Sequence, residues 1–238
     1  MAQVINTNVA SLFAGSSLNK SAIGLQTAMQ RLSSGLRINS AADDPTGLGI
    51  GVNLDAKVRG ANMAARGAAN AVTAAQTNDG YLAQITENTQ RLREIAVQLG
   101  GTASGSETTA LIAENTRIKA LMSGTTAVVV NTGGTTQATT GTVLGASAGS
   151  TVANYDTDLT AINTARAAFG ADIATFSSVT ANLQLESVNL SAQYSRVMDT
   201  DYAIETQNMT RNQILQQAGT AMLAQANQVP NTVLTLLR

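Results

Sequence analysis

The chain has 238 residues, of which 3% are aromatic and 12% charged, and it holds no His, Cys or Trp at a net charge of −1. Those absences exclude a Ser-His-Asp triad, a thiol nucleophile, the usual zinc site and disulfide cross-links. A pI near 5.4 without a basic patch gives no expectation of nucleic-acid binding, and no apolar run approaches the roughly 18 residues of a membrane span.

The hydrophobic share, 44%, is carried largely by Ala, with Leu, Ile and Val second. Small side chains let helices approach closely along long seams but do not fill a thick core. Proline occurs only at Pro45 and Pro230, so long helices are permitted between them. The N-terminal MAQVINTNVA lacks the basic-then-apolar layout of a cleavable signal peptide, so export would use another route.

The first expected helix covers Val4 to Leu36, where Leu18, Ala22, Leu25, Met29, Leu32 and Leu36 recur at alternating steps of four and three. After a polar connector, Asp44-Pro45 reads as an N-cap with proline at the first helical position. The second helix runs from Pro45 to Leu99, about 80 Å at 1.5 Å per residue. Its stripe is Leu82, Ile85, Thr89, Leu92, Ala96 and Leu99, and Gly100-Gly101 ends it. A shorter third helix, Glu107 to Met122, folds back across that turn with Leu111, Ile118, Leu121 and Met122 on one side.

From Leu121 to Tyr155 there is no charge. Val128-Val129-Val130 followed by Asn131-Thr132-Gly133-Gly134 reads as a strand and turn of a hairpin. The fourth helix, Asp158 to Arg196, holds Leu159, Ile162, Phe169, Ile173, Phe176, Leu183, Leu190, Tyr194 and Val197 in one register. The fifth, Asp201 to Leu236, carries Leu215, Ala218, Met222 and Val229, widened by Ile214 and Ala221. Residues 1–19 and 212–237 contain no charged side chain. Such weakly apolar helices are marginal alone in water, which suggests that the two ends pair with each other and with other copies. The expected fold is all-α dominated: an elongated bundle of long antiparallel helices with coiled-coil-like seams and one small β-hairpin.

Three groups invite a sharper chemistry and fit a plainer one. Asp43-Asp44 reads as a turn and helix cap rather than a metal pair. Gly47, Gly49 and Gly51 lack the Lys-Ser/Thr ending and preceding strand of a phosphate loop, and read as close helix packing. Asp199 and Asp201 read as the cap of the fifth helix rather than as catalytic carboxylates. Glu87 and Arg91, four apart, form an ordinary helix-face ion pair on spacing alone.

The run Arg31-Leu32-Ser33-Ser34-Gly35-Leu36-Arg37-Ile38-Asn39-Ser40-Ala41-Ala42-Asp43-Asp44 closely resembles bacterial flagellin. So do Gln90-Arg91-Leu92-Arg93-Glu94-Ile95-Ala96-Val97-Gln98 and the C-terminal Gln213-Ile214-Leu215-Gln216-Gln217-Ala218-Gly219-Thr220 with Leu223 to Pro230. The resemblance spans roughly Met1–Leu121 and Asp158–Arg238. It implies a structural, non-enzymatic subunit that self-assembles into the extracellular bacterial flagellar filament for swimming, without a cofactor or metal. It also implies an inner core domain from residues 1–44 and 197–238, a helical outer core domain from residues 45–122 and 156–196, and a variable hairpin region at 123–155. With no large outer domains between the halves, the chain resembles a minimal member.

The implied self-assembly seams include Leu18, Leu25, Leu32, Leu215, Met222 and Val229. The implied partners are other copies of the chain, an export chaperone, cap and junction proteins, and the flagellin-sensing Toll-like receptor of animals. Gln90, Arg91, Ile95, Gln98 and Glu114 match family positions used for receptor binding and subunit packing, although Thr89 and Ile95 stand where Leu is usual. The alternative is the flagellin-like hook–filament junction protein, against which the ending Leu234-Thr235-Leu236-Leu237-Arg238 argues. A lipid-binding amphipathic bundle would need a Lys/Arg-rich polar face, which the termini lack.

Overall fold

A computed structural model describes residues 7–122, 127–129, 136–138 and 149–235. Among them are five helices: α1 (Val9–Ser34), α2 (Pro45–Gln98), α3 (Ser106–Leu121), α4 (Val152–Met198) and α5 (Tyr202–Thr235). Two short antiparallel strands, β1 (Ala127–Val129) and β2 (Thr136–Ala138), pair with Val128 opposite Gln137. The chain is thus all-α dominated with one small hairpin. The expected Asn131–Gly134 turn lies outside the described residues. Contacts divide the chain into two units, Met1–Leu54 with Ala192–Arg238, and Asp55–Ser191.

In the first unit α1 lies along α5. Asn8 caps α1, its side-chain oxygen accepting from the Ser11 N–H at 3.1 Å. Its amide nitrogen donates to the Ala226 carbonyl at 2.8 Å, which ties the start of α1 to the far part of α5. At the other end Gly35 adopts φ 71, the left-handed conformation that a C-cap needs and that glycine takes without steric cost. The chain then pairs antiparallel with the α4–α5 connector. Arg37 N–H donates to Met198 O at 2.7 Å, Thr200 N–H to Gly35 O at 2.9 Å, and the Arg37 guanidinium to Val197 O at 2.8 Å.

Asp44 caps α2 as expected, accepting from the N–H groups of Thr46 and Gly47 at 3.0 and 2.9 Å. Asp43 closes its own turn, accepting from Asn39 and Ser40 N–H, and these backbone bonds, Ser40 first, hold its carboxyl below the usual carboxylate range. Asp201 caps α5, while Asp199 contributes a backbone bridge to Leu36 instead of a cap. Close packing explains Gly47 and Gly51, where a Cβ would strike Ile38 and Met198; Gly49 faces open space, contrary to expectation.

The second unit is built on a longer seam than the expected one. Ala61, Ala64, Ala68, Ala71, Ala75, Asn78, Leu82, Ile85, Thr89, Leu92 and Ala96 of α2 are all buried, at unbroken steps of three and four. Tyr155, Ile162, Phe169, Phe176 and Leu183 of α4, seven apart, are buried too. Large side chains of α4 meet small ones of α2: Phe176 packs with Ala68 and Ala71. Further along, Ile162 and Phe169 join Leu82, Ile85, Ile118 and Met122, and Tyr155 joins Leu92, Ile95, Ala96 and Ala103.

Tyr155 explains why α4 starts at Val152 and not at the expected Asp158. It extends the seven-residue register by one position, and the Thr102–Thr151 bridge sets the chain in place before it. Leu99 and Leu121, expected on seams, are instead exposed at helix ends. The Tyr155 ring is fully buried, yet its hydroxyl has no hydrogen-bond partner among the described residues, and burial raises the pKa of that hydroxyl. An unpartnered buried hydroxyl lowers stability. Tyr155→Phe is therefore expected to leave urea stability unchanged or raise it by up to about 1 kcal/mol. A clear loss would mean that the hydroxyl is bonded to a buried water.

Candidate functional site

The residues singled out on α2 divide between surface and core. Gln90, Arg91 and Gln98 are exposed. Ile95 is only 7% exposed and packs in the cluster of Leu92, Ala96, Ala103 and Tyr155. Of the five residues that match family binding positions, Ile95 is thus in the core rather than on the open surface. It lies three residues beyond Leu92 and beside Ala96, so the helix turns it into the same seam.

Arg91 also departs from the expected pairing with Glu87. Its Nε donates to Glu107 Oε1 at 2.9 Å and its Nη1 to Glu94 Oε2 at 3.2 Å, which favour its charged form further. Glu94, three residues on, was legible from spacing. Glu107 was not, because it arrives on α3 after the glycine-rich turn. Glu114 turns to Arg117, which donates to both of its carboxylate oxygens at 2.6 and 2.8 Å and holds its carboxyl below the usual range. Nearby, Arg93 donates to Asp156 of α4 at 2.6 Å. These side chains are open to solvent, where ion pairs are screened by salt and add little stability. What they provide is a surface of fixed alternating charge over a solid core, suited to a protein partner.

In the first unit, Leu18, Leu25 and Leu32 are partly buried on the side of α1 that faces α5. Their companions on that side are Ser21 and Ala28, both buried, whereas the expected Met29 is 49% exposed. On α5 the large apolar residues of the expected stripe are not the ones that meet α1. Several positions turned to α1 are small or polar: a Cβ on Gly219 would lie 3.1 Å from Leu18, Asn212 sits against Gly24, and Glu205 is buried beside Arg31, with the half-buried Leu223 continuing the same register. Leu215 and Met222 are exposed, Met222 at 64%, together with Ile214. Small groups let the two backbones approach, while Ile214, Leu215 and Met222 remain outside. The side chain of Val229 lies outside the described residues.

Between the helices runs an open groove of about 400 Å³, lined by Ala10, Phe13 and Leu18 of α1 and Leu215, Gly219 and Met222 of α5. Phe13 on its rim is 75% exposed. Contiguous exposed apolar surface of this kind marks an interaction site. No helix among the described residues is long and apolar enough to cross a membrane.

A family model described as the bacterial flagellin N-terminal helical region matches residues 5–138, and one described as the bacterial flagellin C-terminal helical region matches residues 152–237. The chain belongs to the bacterial flagellin family. It is similar to a flagellin of Xenorhabdus nematophila, at 35% identity over 100% of both chains. It is 32% identical to the flagellar filament 33 kDa core protein of Treponema phagedenis, over 99% of this chain and 100% of that one. With a flagellin of Salmonella muenchen the identity is 49%, over 49% of this chain and 23% of the relative. In this flagellin the two matched regions end and begin at structural boundaries, the last residue of β2 and the first of α4. The charged strip on α2 and α3 and the apolar faces of α1 and α5 all fall within them.

Proposed function

We infer that this flagellin is a structural subunit that self-assembles into the extracellular filament of the bacterial flagellum, for swimming motility. The role is structural, not catalytic. One observation carries the reading: α1 and α5 leave Leu12, Phe13, Ile214, Leu215 and Met222 exposed in stretches that hold no charge. Burying such side chains against other copies stabilises by roughly 1.5–3 kcal/mol each. Leu18, Leu25 and Leu32 then hold α1 to α5, Leu215 and Met222 face neighbouring copies, and Val229 continues their register toward the C-terminus. In this reading residues 1–44 with 197–238 make the inner core domain, residues 45–122 with 156–196 the outer one, and residues 123–155 a variable hairpin region. Negative-stain microscopy of the purified protein tests it directly. Long tubes support the reading, and single particles at every protein and salt concentration overturn it.

The same reading supplies finer partners. An export chaperone would cover α5 before assembly, and cap and junction proteins would meet the filament at its ends. The strip of Gln90, Arg91, Gln98 and Glu114, with Ile95 as its packed support, is the candidate for the animal flagellin-sensing Toll-like receptor. Neighbouring subunits would cover this strip in the filament, so the monomer binds and the filament does not. Arg91→Ala is expected to weaken monomer binding to the receptor ectodomain about tenfold or more, the range of an interfacial Arg anchor. Equal affinity for the unaltered protein, Arg91→Ala and Glu114→Ala would return the strip to an ordinary solvated helix face.

A further inference from the structure

In the second unit α3 runs back along α2, and two apolar clusters hold it there. One joins Leu82 and Ile85 to Ile118 and Met122, and the other joins Leu92, Ile95 and Ala96 to Leu111 and Ile112. Between them, on both helices, the apolar pattern is interrupted. Asn88 and Asn115 are 8% and 9% exposed, and Asn88 Nδ2 donates to Asn115 Oδ1 at 2.8 Å. Gln84 Nε2 adds a long contact to Asn88 Oδ1 at 3.5 Å.

Apolar packing alone fixes this register poorly. Leu, Ile and Met recur on both sides of the interruption, and sliding α3 by one turn would exchange like for like. The link from α2 is tied at Thr102 and Ala103 to Thr151 and Ser150, so only Ser104 and Gly105, the latter at φ 118, remain to take up a shift of α3. Arg91–Glu107 does not decide the register, because both side chains are more than half exposed. In any shifted register, however, two primary amides would be buried in apolar surroundings without partners, which is strongly disfavoured. A single buried Asn at a helix seam has this effect in coiled coils, setting register at some expense in stability.

We propose that the buried Asn88–Asn115 pair is a register lock that sets the position of α3 along α2 and so brings Glu107 of α3 to Arg91 of the strip. Asn88 and Asn115 are then positioning residues of the strip. Their link to recognition rests on the strip's proposed role in receptor binding; the register itself does not.

The test uses the full-length monomer. The chain has no Cys, so spin labels attach only where thiols are introduced. Gln76→Cys on α2 and Ala113→Cys on α3, both exposed, form a pair offset along the helix axis whose separation reads sliding. With both asparagines present, one narrow distance is expected. With Asn88→Leu and Asn115→Leu together, the distribution should broaden or split by about one helical turn, roughly 5 Å, while the thermal midpoint holds or rises. Asn88→Ala with Asn115→Ala, which adds no volume, should broaden it likewise. A single unchanged narrow distance in both pairs overturns the proposal. So does loss of folded α3 in both, which would make the asparagines a source of stability, not of register. Receptor binding is measured separately on the same proteins. Register loss without any change in affinity would sink the strip's proposed role and leave the lock standing.

Discussion

Deleting residues 201–238, or residues 1–33, is expected to abolish filament formation and leave a monomer in which the second unit is still folded. The two helices removed leave large apolar side chains in water within stretches that hold no charge. Phe13 is 75% exposed and Met222 64%, and the groove they line is occupied by no other part of the described chain. Removing either helix also uncovers the inner face of its partner, since Leu18 packs over Gly219 and Asn8 is bonded to Ala226. The second unit has its own buried clusters around Tyr155, Phe169 and Phe176 and does not depend on that pairing. Sedimentation and electron microscopy read assembly, and far-UV circular dichroism reads the remaining helix. Long filaments from a protein lacking both ends would place the assembly surface elsewhere in the chain.

Phe176→Ala should be the most damaging single change within the second unit, by about 3–5 kcal/mol in urea. The ring is fully buried against Ala68 and Ala71, with Val72 and Val179 at its edges. Alanines cannot move to fill the space left behind, so the site keeps most of its cavity. Leu185→Ala on the same helix is the control: that side chain is 61% exposed, and its loss should lie within about 0.5 kcal/mol of neutral. Because the chain has two units, the comparison is sound only if circular dichroism and a local probe give coincident transitions. A Phe176→Ala cost near that of Leu185→Ala would mean that α2 and α4 close together around the gap.

Much of this protein is legible in its sequence. The order of five helices, the hairpin between α3 and α4, the caps at Asp44 and Asp201, and the buried stripe from Leu82 to Ala96 all follow from local rules. Caps depend on side chains two or three residues from the N–H groups they satisfy, and stripes depend on the helical repeat, so both are written in short windows of sequence. The resemblance to flagellin was legible for the same reason, in contiguous runs of residues.

Tertiary structure decided which face of each helix was used. Along α1 the sequence offers Met29 and the structure takes Ala28; along α5 it offers Leu215 and Met222 and the structure takes Asn212 and Gly219. A search for large apolar residues overlooks such seams, because backbones that approach closely are met by small side chains while bulky ones are left for other partners. Ile95, matched by resemblance to a recognition position, is packed in the core beside Tyr155. The partners of Arg91 and Asn88 on another helix, Glu107 and Asn115, lie 16 and 27 residues along the chain. Sequence by itself determined the helices, their caps and the family; which faces meet was settled only by packing, because the distance of closest approach between two helices depends on both surfaces at once.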